Sequence, residues 1–129
     1  MDDFFIEKKV YYHDTDSGGV VYYANYLKFM EEARIEFCLF RGVDILGWLK
    51  KNISFVVARV ELDYKSPAEY GDTLKISARV ERIGNSSVSF IQEIKAGERI
   101  LVNGQVIWVC VGKDLKSQSL PQEIIAAFK

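Results

Sequence analysis

Residues 11–40 read YYHDTDSGGVVYYANYLKFMEEARIEFCLF, and the change of character inside this stretch decides the fold. His13-Asp14-Thr15-Asp16-Ser17-Gly18-Gly19 is a cluster of turn formers closed by two glycines, which predicts a loop. From about residue 20 to residue 40 a helical period takes over. Tyr26, Met30, Ala33 and Phe37 recur at helical spacing, Tyr23, Leu27 and Phe29 widen that stripe, and Lys28, Glu31, Glu32 and Glu36 fall largely elsewhere. The glutamates read as a solvated face, and Gly42 supplies a C-terminal stop.

Outward from this helix the pattern is mostly strand-like. Residues 4–12 mix aromatic and β-branched residues with charges, as a first strand does. After a short helical piece over 44–50, residues 53–64 are rich in Val, Ile and Phe, and Ser66-Pro67 with Gly71-Asp72 supplies turn chemistry. Leu74, Ile76, Ala78 and Val80 then alternate with Lys75, Ser77, Arg79 and Glu81, so that strand is half buried. Gly84-Asn85 and Ala96-Gly97-Glu98 separate two more strands, 88–95 and 100–111. Asn103-Gly104 is a strong hairpin signal, but a cut there leaves a stub before it, so a bulge within one long strand is expected. A terminal helix begins at Pro121.

Connections this short force antiparallel pairing of the last four strands. The expectation is an α+β architecture in which residues 1–129 form one domain, a single long helix lying on a five-stranded antiparallel sheet.

Composition narrows the function. The chain has 129 residues, enough for a core without staples. Seventeen basic residues stand against eighteen acidic ones, with no basic run fit to follow a phosphate backbone, so nucleic acid is not an expected partner. No apolar stretch approaches the roughly 20 residues that span a bilayer. Residues 1–5 carry two aspartates where a secretory signal carries positive charge, so a cytoplasmic location is expected. Cys38 and Cys110 lack paired spacing and read as buried thiols. The single histidine, His13, and two nearby carboxylates lack a further ligand at recognisable spacing, so neither metal nor cofactor is expected.

The chemistry concentrates in the loop before the helix. Backbone N–H groups at a helix start are unsatisfied and can stabilise an oxyanion. Gly18 and Gly19 allow close approach of backbone and ligand, and Asp16 can face the same point as base or nucleophile. Asp-x-Asp before Gly-Gly is equally the pattern of an Asx turn and helix cap.

The run Y-x-D-T-D-x-x-G-V-V-Y-x-x-x-Y beginning at Tyr12 resembles the opening motif of the 4-hydroxybenzoyl-CoA thioesterase and YbgC-like acyl-CoA thioesterase family. Asp63-Tyr64-Lys65-Ser66-Pro67-Ala68 with Gly71-Asp72 is similar to its second motif, and the likeness covers nearly the whole chain. The resemblance implies a hotdog fold, with the sheet wrapped around the long helix, and a homodimer or homotetramer with sites at protomer interfaces. It also implies hydrolysis of a thioester of CoA, or of acyl carrier protein, to free acid and thiol.

By motif position, the resemblance assigns Asp16 the catalytic carboxylate, as nucleophile or as base for water. Tyr23 takes the place of the backbone N–H that meets the thioester carbonyl, and Tyr12 that of a tyrosine supporting the carboxylate. Gly19, Val20, Arg59 and Arg82 are the candidate substrate contacts. Two departures stand out: position 23 is histidine in some YbgC-like members, and before Gly84-Asn85 only Arg82 answers to the compact basic cluster that meets CoA phosphates in the benzoyl-CoA enzyme. Two rival readings share the fold. A dehydratase or hydratase of acyl thioesters needs a His paired with an acid, which this motif lacks, and a non-catalytic acyl-thioester-binding protein has no use for Asp16.

Overall fold

The computed structural model describes residues 4–129. The acidic pair Asp2 and Asp3 lies outside that range. The chain runs β1 (Phe5–Lys9), one 3₁₀ turn (Tyr12–Asp14), α1 (Asn25–Phe40), α2 (Ile45–Lys50), β2 (Ser54–Tyr64), β3 (Thr73–Ser77), β4 (Arg79–Ile83), β5 (Ser87–Ala96), β6 (Arg99–Val111) and α3 (Gln122–Phe128). The strands form one antiparallel sheet in the order β1-β3-β5-β6-β2, with β4 also paired to β5. Helix α1 packs against β1 and β3. This is the hotdog arrangement that the motifs imply.

The sheet has six strands where five were expected. The difference lies at Ala78, where the run from Leu74 to Glu81 breaks into β3 and β4, both of which pair with β5. Ser77 takes over the ladder at the break: its Oγ accepts the Glu93 N–H at 2.9 Å, and its carbonyl accepts Gln92 Nε2 at 3.1 Å. Two strand pieces therefore fill one place beside β5. Further irregularities fall at Glu81, at Ala58 in β2 and at Leu101 in β6, where the register skips a residue. Extra residues of this kind bend and twist a sheet, which lets it curl about α1.

The alternation within β5 and β6 sets the core. Val88, Phe90, Ile94, Val102, Val106 and Trp108 face α1, and Met30, Ala33 and Phe37 meet them from the helix. Gln92 sits in this apolar row with no exposure at all. Its Nε2 donates to the Met30 carbonyl at 2.9 Å as well as to Ser77, and its Oε1 accepts Arg34 Nη1 at 2.9 Å. Arg34 is buried, lies over the Trp108 ring, and has its guanidinium pushed down to about 10 by desolvation. Both cysteines are free and buried, and burial pushes the Cys38 thiol up to about 12.

Three element boundaries differ from expectation for local reasons. The first strand ends at Lys9, and just beyond it the Tyr11 N–H turns to Asp14 Oδ2 at 2.9 Å. Helix α1 starts at Asn25 and not near Val20, because Val20 and Val21 form bridges to Glu69 and Thr15 and the Tyr22 N–H donates to the Asp14 carbonyl. Asn103-Gly104 stays inside β6 as expected, but without a bulge, since both residues pair in regular register with β2 and β5. The glycine serves packing. A Cβ at Gly104 would stand 2.5 Å from Leu62 Cδ2 and 2.7 Å from Met30 Cε.

Gly104→Ala therefore overpacks the seam between sheet and helix. A loss of about 1–3 kcal/mol is expected, read as a lower urea midpoint with an unchanged denaturant slope.

Candidate active site

The loop before α1 is built around two aspartates that differ in environment. Asp14 is buried, at 7% exposure. Its carboxylate accepts the Tyr11 N–H and stands 3.5 Å from His13 Nε2. Its carbonyl accepts the Tyr22 N–H at 3.0 Å and Asn25 Nδ2 at 2.9 Å. Asp14 thus ties the first strand, the loop and the first residue of α1 together. Asn25 does the same from the helix side.

Asp16 is exposed. Its Oδ1 accepts the Gly18 N–H at 2.8 Å, while its N–H donates to Val20 and its carbonyl accepts the Gly19 N–H. This is the Asx turn that the Asp-x-Asp pattern allows. It leaves Oδ2 outside the turn and fixes the plane of the carboxylate. Gly18 lets the turn close, since a Cβ there would meet Asp16 Oδ1 at 3.2 Å, and Gly19 holds φ at +83°, a left-handed value that only glycine adopts without strain.

The second stretch singled out in sequence, 63–72, packs onto this loop. The Val21 N–H donates to the Ala68 carbonyl at 2.8 Å, the Ala68 N–H donates to Tyr26 Oη at 3.0 Å, and Val20 bridges Glu69. Tyr64 Oη donates to the Tyr23 carbonyl at 3.2 Å, so the end of β2 clasps the segment before α1. The Tyr26 phenol is held above its usual range, first by burial and further by the charges of Asp72 and Asp16. Burial likewise raises that of Tyr64. All seven tyrosines of the chain belong to this end of the molecule, in pairs such as Tyr22–Tyr23, Tyr26–Tyr64 and Tyr12–Tyr70.

Asp16, Gly19, Val20 and Tyr23 come together in this loop. Tyr23 lies before α1 and not within it, is 63% exposed, and its N–H meets no acceptor among the described residues. Tyr12 stands at the loop's entrance, 76% exposed and edge-on to Tyr70, with no hydrogen bond to either aspartate among the described residues. Arg59 and Arg82 lie elsewhere. They share one row across the sheet, through Ile107 and Ser89, on the face turned away from α1. That row is about 16 Å along β2 from Tyr64 at roughly 3.3 Å per residue. Arg59 is also bonded to Glu61. Reading residue types alone missed Asp14, Asn25 and Tyr64. The Asx and N-terminal preferences of Asp and Asn were the available signal for the first two.

A thioesterase superfamily model matches residues 18–108, most of the chain. The chain belongs to the thioesterase superfamily. The acyl-CoA thioester hydrolase YbgC of Escherichia coli O6:H1 is 37% identical over 123 residues, covering 94% of this chain and 92% of that protein. Among solved structures, a probable thioesterase from Bartonella henselae is 32% identical at a TM-score of 0.83, covering 92% of this chain and 98% of the other. A Thermus thermophilus thioesterase complexed with coenzyme A and Zn is 29% identical at a TM-score of 0.84, covering 96% and 90%. Thioester hydrolysis is accordingly the reaction of this chain.

Removing the Asp14 carboxylate strands the partly buried Tyr11 N–H and frees the loop. Asp14→Ala is expected to cost about 1–3 kcal/mol, whereas Asp14→Asn retains an acceptor and costs less. Paired urea melts of the two variants check this, and equal losses would remove Asp14 from its structural role.

Proposed function

We propose that this chain hydrolyses acyl-CoA thioesters, with Asp16 as the reacting carboxylate and the N–H of Tyr23 as the donor to the thioester oxygen. The observation that carries the reading is the division of labour between the two aspartates. Asp14 is buried with one oxygen bonded to the Tyr11 N–H and the other 3.5 Å from the His13 ring, while the exposed Asp16 has one oxygen bonded to Gly18 and the other without a bonded partner among the described residues. The unspent Tyr23 N–H belongs to the same loop. Coenzyme A as the thiol part of the substrate is supported by the YbgC relative and by the CoA-bound Thermus structure. Acyl carrier protein stands as the second thioester carrier.

Two routes use the same groups. As a nucleophile, Asp16 Oδ2 attacks the thioester carbon, the C–S bond breaks, CoA leaves as thiolate, and water then cleaves the resulting anhydride. As a base, Asp16 takes a proton from water while that water attacks the same carbon; the C–S bond then breaks, CoA leaves as thiolate and takes up that proton, and the free acid is released. In both, negative charge develops on the carbonyl oxygen and a backbone N–H stabilises it. Gly19 and Val20 form the wall past which the carbonyl must approach, and Gly19 keeps that approach free of a side chain.

The reading extends to a single hotdog domain over residues 1–129, working in the cytoplasm as a homo-oligomer. Among the described residues no helix is long and apolar enough to cross a membrane. Strand β2 is an 11-residue sheet edge with Val56, Val57 and Val60 37–48% exposed. A long apolar edge of this kind invites pairing with another strand, and β2 of a second copy is the matching partner. Tyr64, at the end of that edge, would bring the second copy beside Tyr23.

Asp16→Asn keeps the shape and the turn but removes charge and basicity. Hydrolysis of acyl-CoAs, followed by thiol release, is expected to fall about 10²- to 10⁴-fold or more with circular dichroism unchanged. Near-normal turnover by the folded variant rejects the assignment. Sedimentation at micromolar concentration is expected to show a dimer or larger, and a fully active monomer removes the role given to β2.

A further inference from the structure

At the C-terminal end of α1 lies a cavity of about 480 Å³, bounded by β1, β3, β4, β5 and α3. Its volume falls in the range of small-molecule sites. The 16 residues of α1 span about 24 Å at 1.5 Å per residue, and the Asp16 loop lies at the other end. The two sites are distinct.

The floor is aromatic. Phe4, Phe37 and Phe128 line it, with Phe4 edge-on to Phe37 at 5.6 Å, and Phe5 and Phe40 stand at its margin at 44% and 65% exposure. The rim is cationic: Arg41, Lys75, Arg79 and Lys95 against Glu93 and Glu98, in a chain whose net charge is −1. Lys95 is 4.0 Å from Glu93, but Arg41, Lys75 and Arg79 meet no carboxylate among the described residues. Two of these cations are held against the aromatic walls, Arg41 over Phe37 at 5.1 Å and Lys75 over Phe5 at 4.9 Å. Charge and ring face are thus presented side by side, at the break in the sheet where the Ala78 N–H donates to the Phe4 carbonyl at 3.3 Å.

We propose that this cavity binds an amphipathic monoanion, a carboxylate carried on an apolar body of about the size of a medium-chain acid. The body lies on the phenylalanine floor, and the carboxylate meets Lys75 and its neighbouring cations, an arrangement that charge-assisted hydrogen bonds favour. A free acid released by thioester hydrolysis belongs to this class, so the cavity is suited to sensing product at a distance from the reacting centre. Binding here does not depend on Asp16 being the catalytic group.

The test titrates the full-length, ¹⁵N-labelled protein with decanoate and follows backbone amide shifts, with decyltrimethylammonium as the charge-inverted control. Saturable shifts are expected at Phe40, Arg41, Ala78 and Arg79, unaltered by Asp16→Asn and absent with the ammonium compound. Lys75→Glu is expected to weaken decanoate at these amides roughly 10-fold or more, and Phe40→Ser provides a second, independent loss while thioester hydrolysis persists in both. Shifts confined to residues 15–24, equal binding of the two amphiphiles, or no change with either variant overturns the proposal.

Discussion

The fold depends on the way one amide side chain is satisfied in the dark. Gln92 stands where an apolar residue would continue the inward face of β5, and it reaches two buried groups, a carbonyl of α1 and the guanidinium of Arg34, together with the half-buried carbonyl at the broken strand. A buried polar group left alone costs about 1–3 kcal/mol, and a buried charge more. Each partner here therefore secures the others. The Ser77 carbonyl faces inward because the strand breaks at Ala78, and α1 is held at the depth where Met30 meets both Gln92 and Gly104. Distance and angle between helix and sheet follow from that meeting.

The same economy governs the other end of α1. Residues 11–25 contain little regular structure, yet much of the backbone there is bonded: to Asp14, to the turn at Asp16, or to the 63–72 segment. A loop held in this way can present a carboxylate and an N–H without loss of entropy on each encounter. Two segments that are separate in sequence are thus one object in space, and Tyr26 and Tyr64 form the join.

Much of this was legible in the residues. The helical stripe of Tyr26, Met30, Ala33 and Phe37 is a period that burial reproduces, and β-branched runs marked the strands. What stayed hidden had no local signature. Alternation from Leu74 to Val80 runs unbroken through the split at Ala78, because both pieces keep the same face inward. Gly104 reads as a turn from its neighbour Asn103, whereas its reason lies in Met30 and Leu62, far away along the chain. Asp14 and Asp16 are alike in type, and Asp14 is set apart by its bonds to Tyr11, Tyr22 and Asn25. The placement of Arg59 and Arg82 in one row, away from the loop, required the register of four strands.

Strand β2 carries a consequence for biogenesis. Its partner in the sheet among the described residues, β6, follows dozens of residues later in the chain, and synthesis proceeds at roughly 5–20 residues per second. For some seconds a nascent chain exposes Val56, Val57 and Val60 with no strand to accept them, next to other chains emerging from the same message. Arg59, Glu61 and Asp63 interrupt that run with charge, the pattern of gatekeeping that slows premature association. The edge is thus guarded during translation by the residues that alternate with its apolar ones.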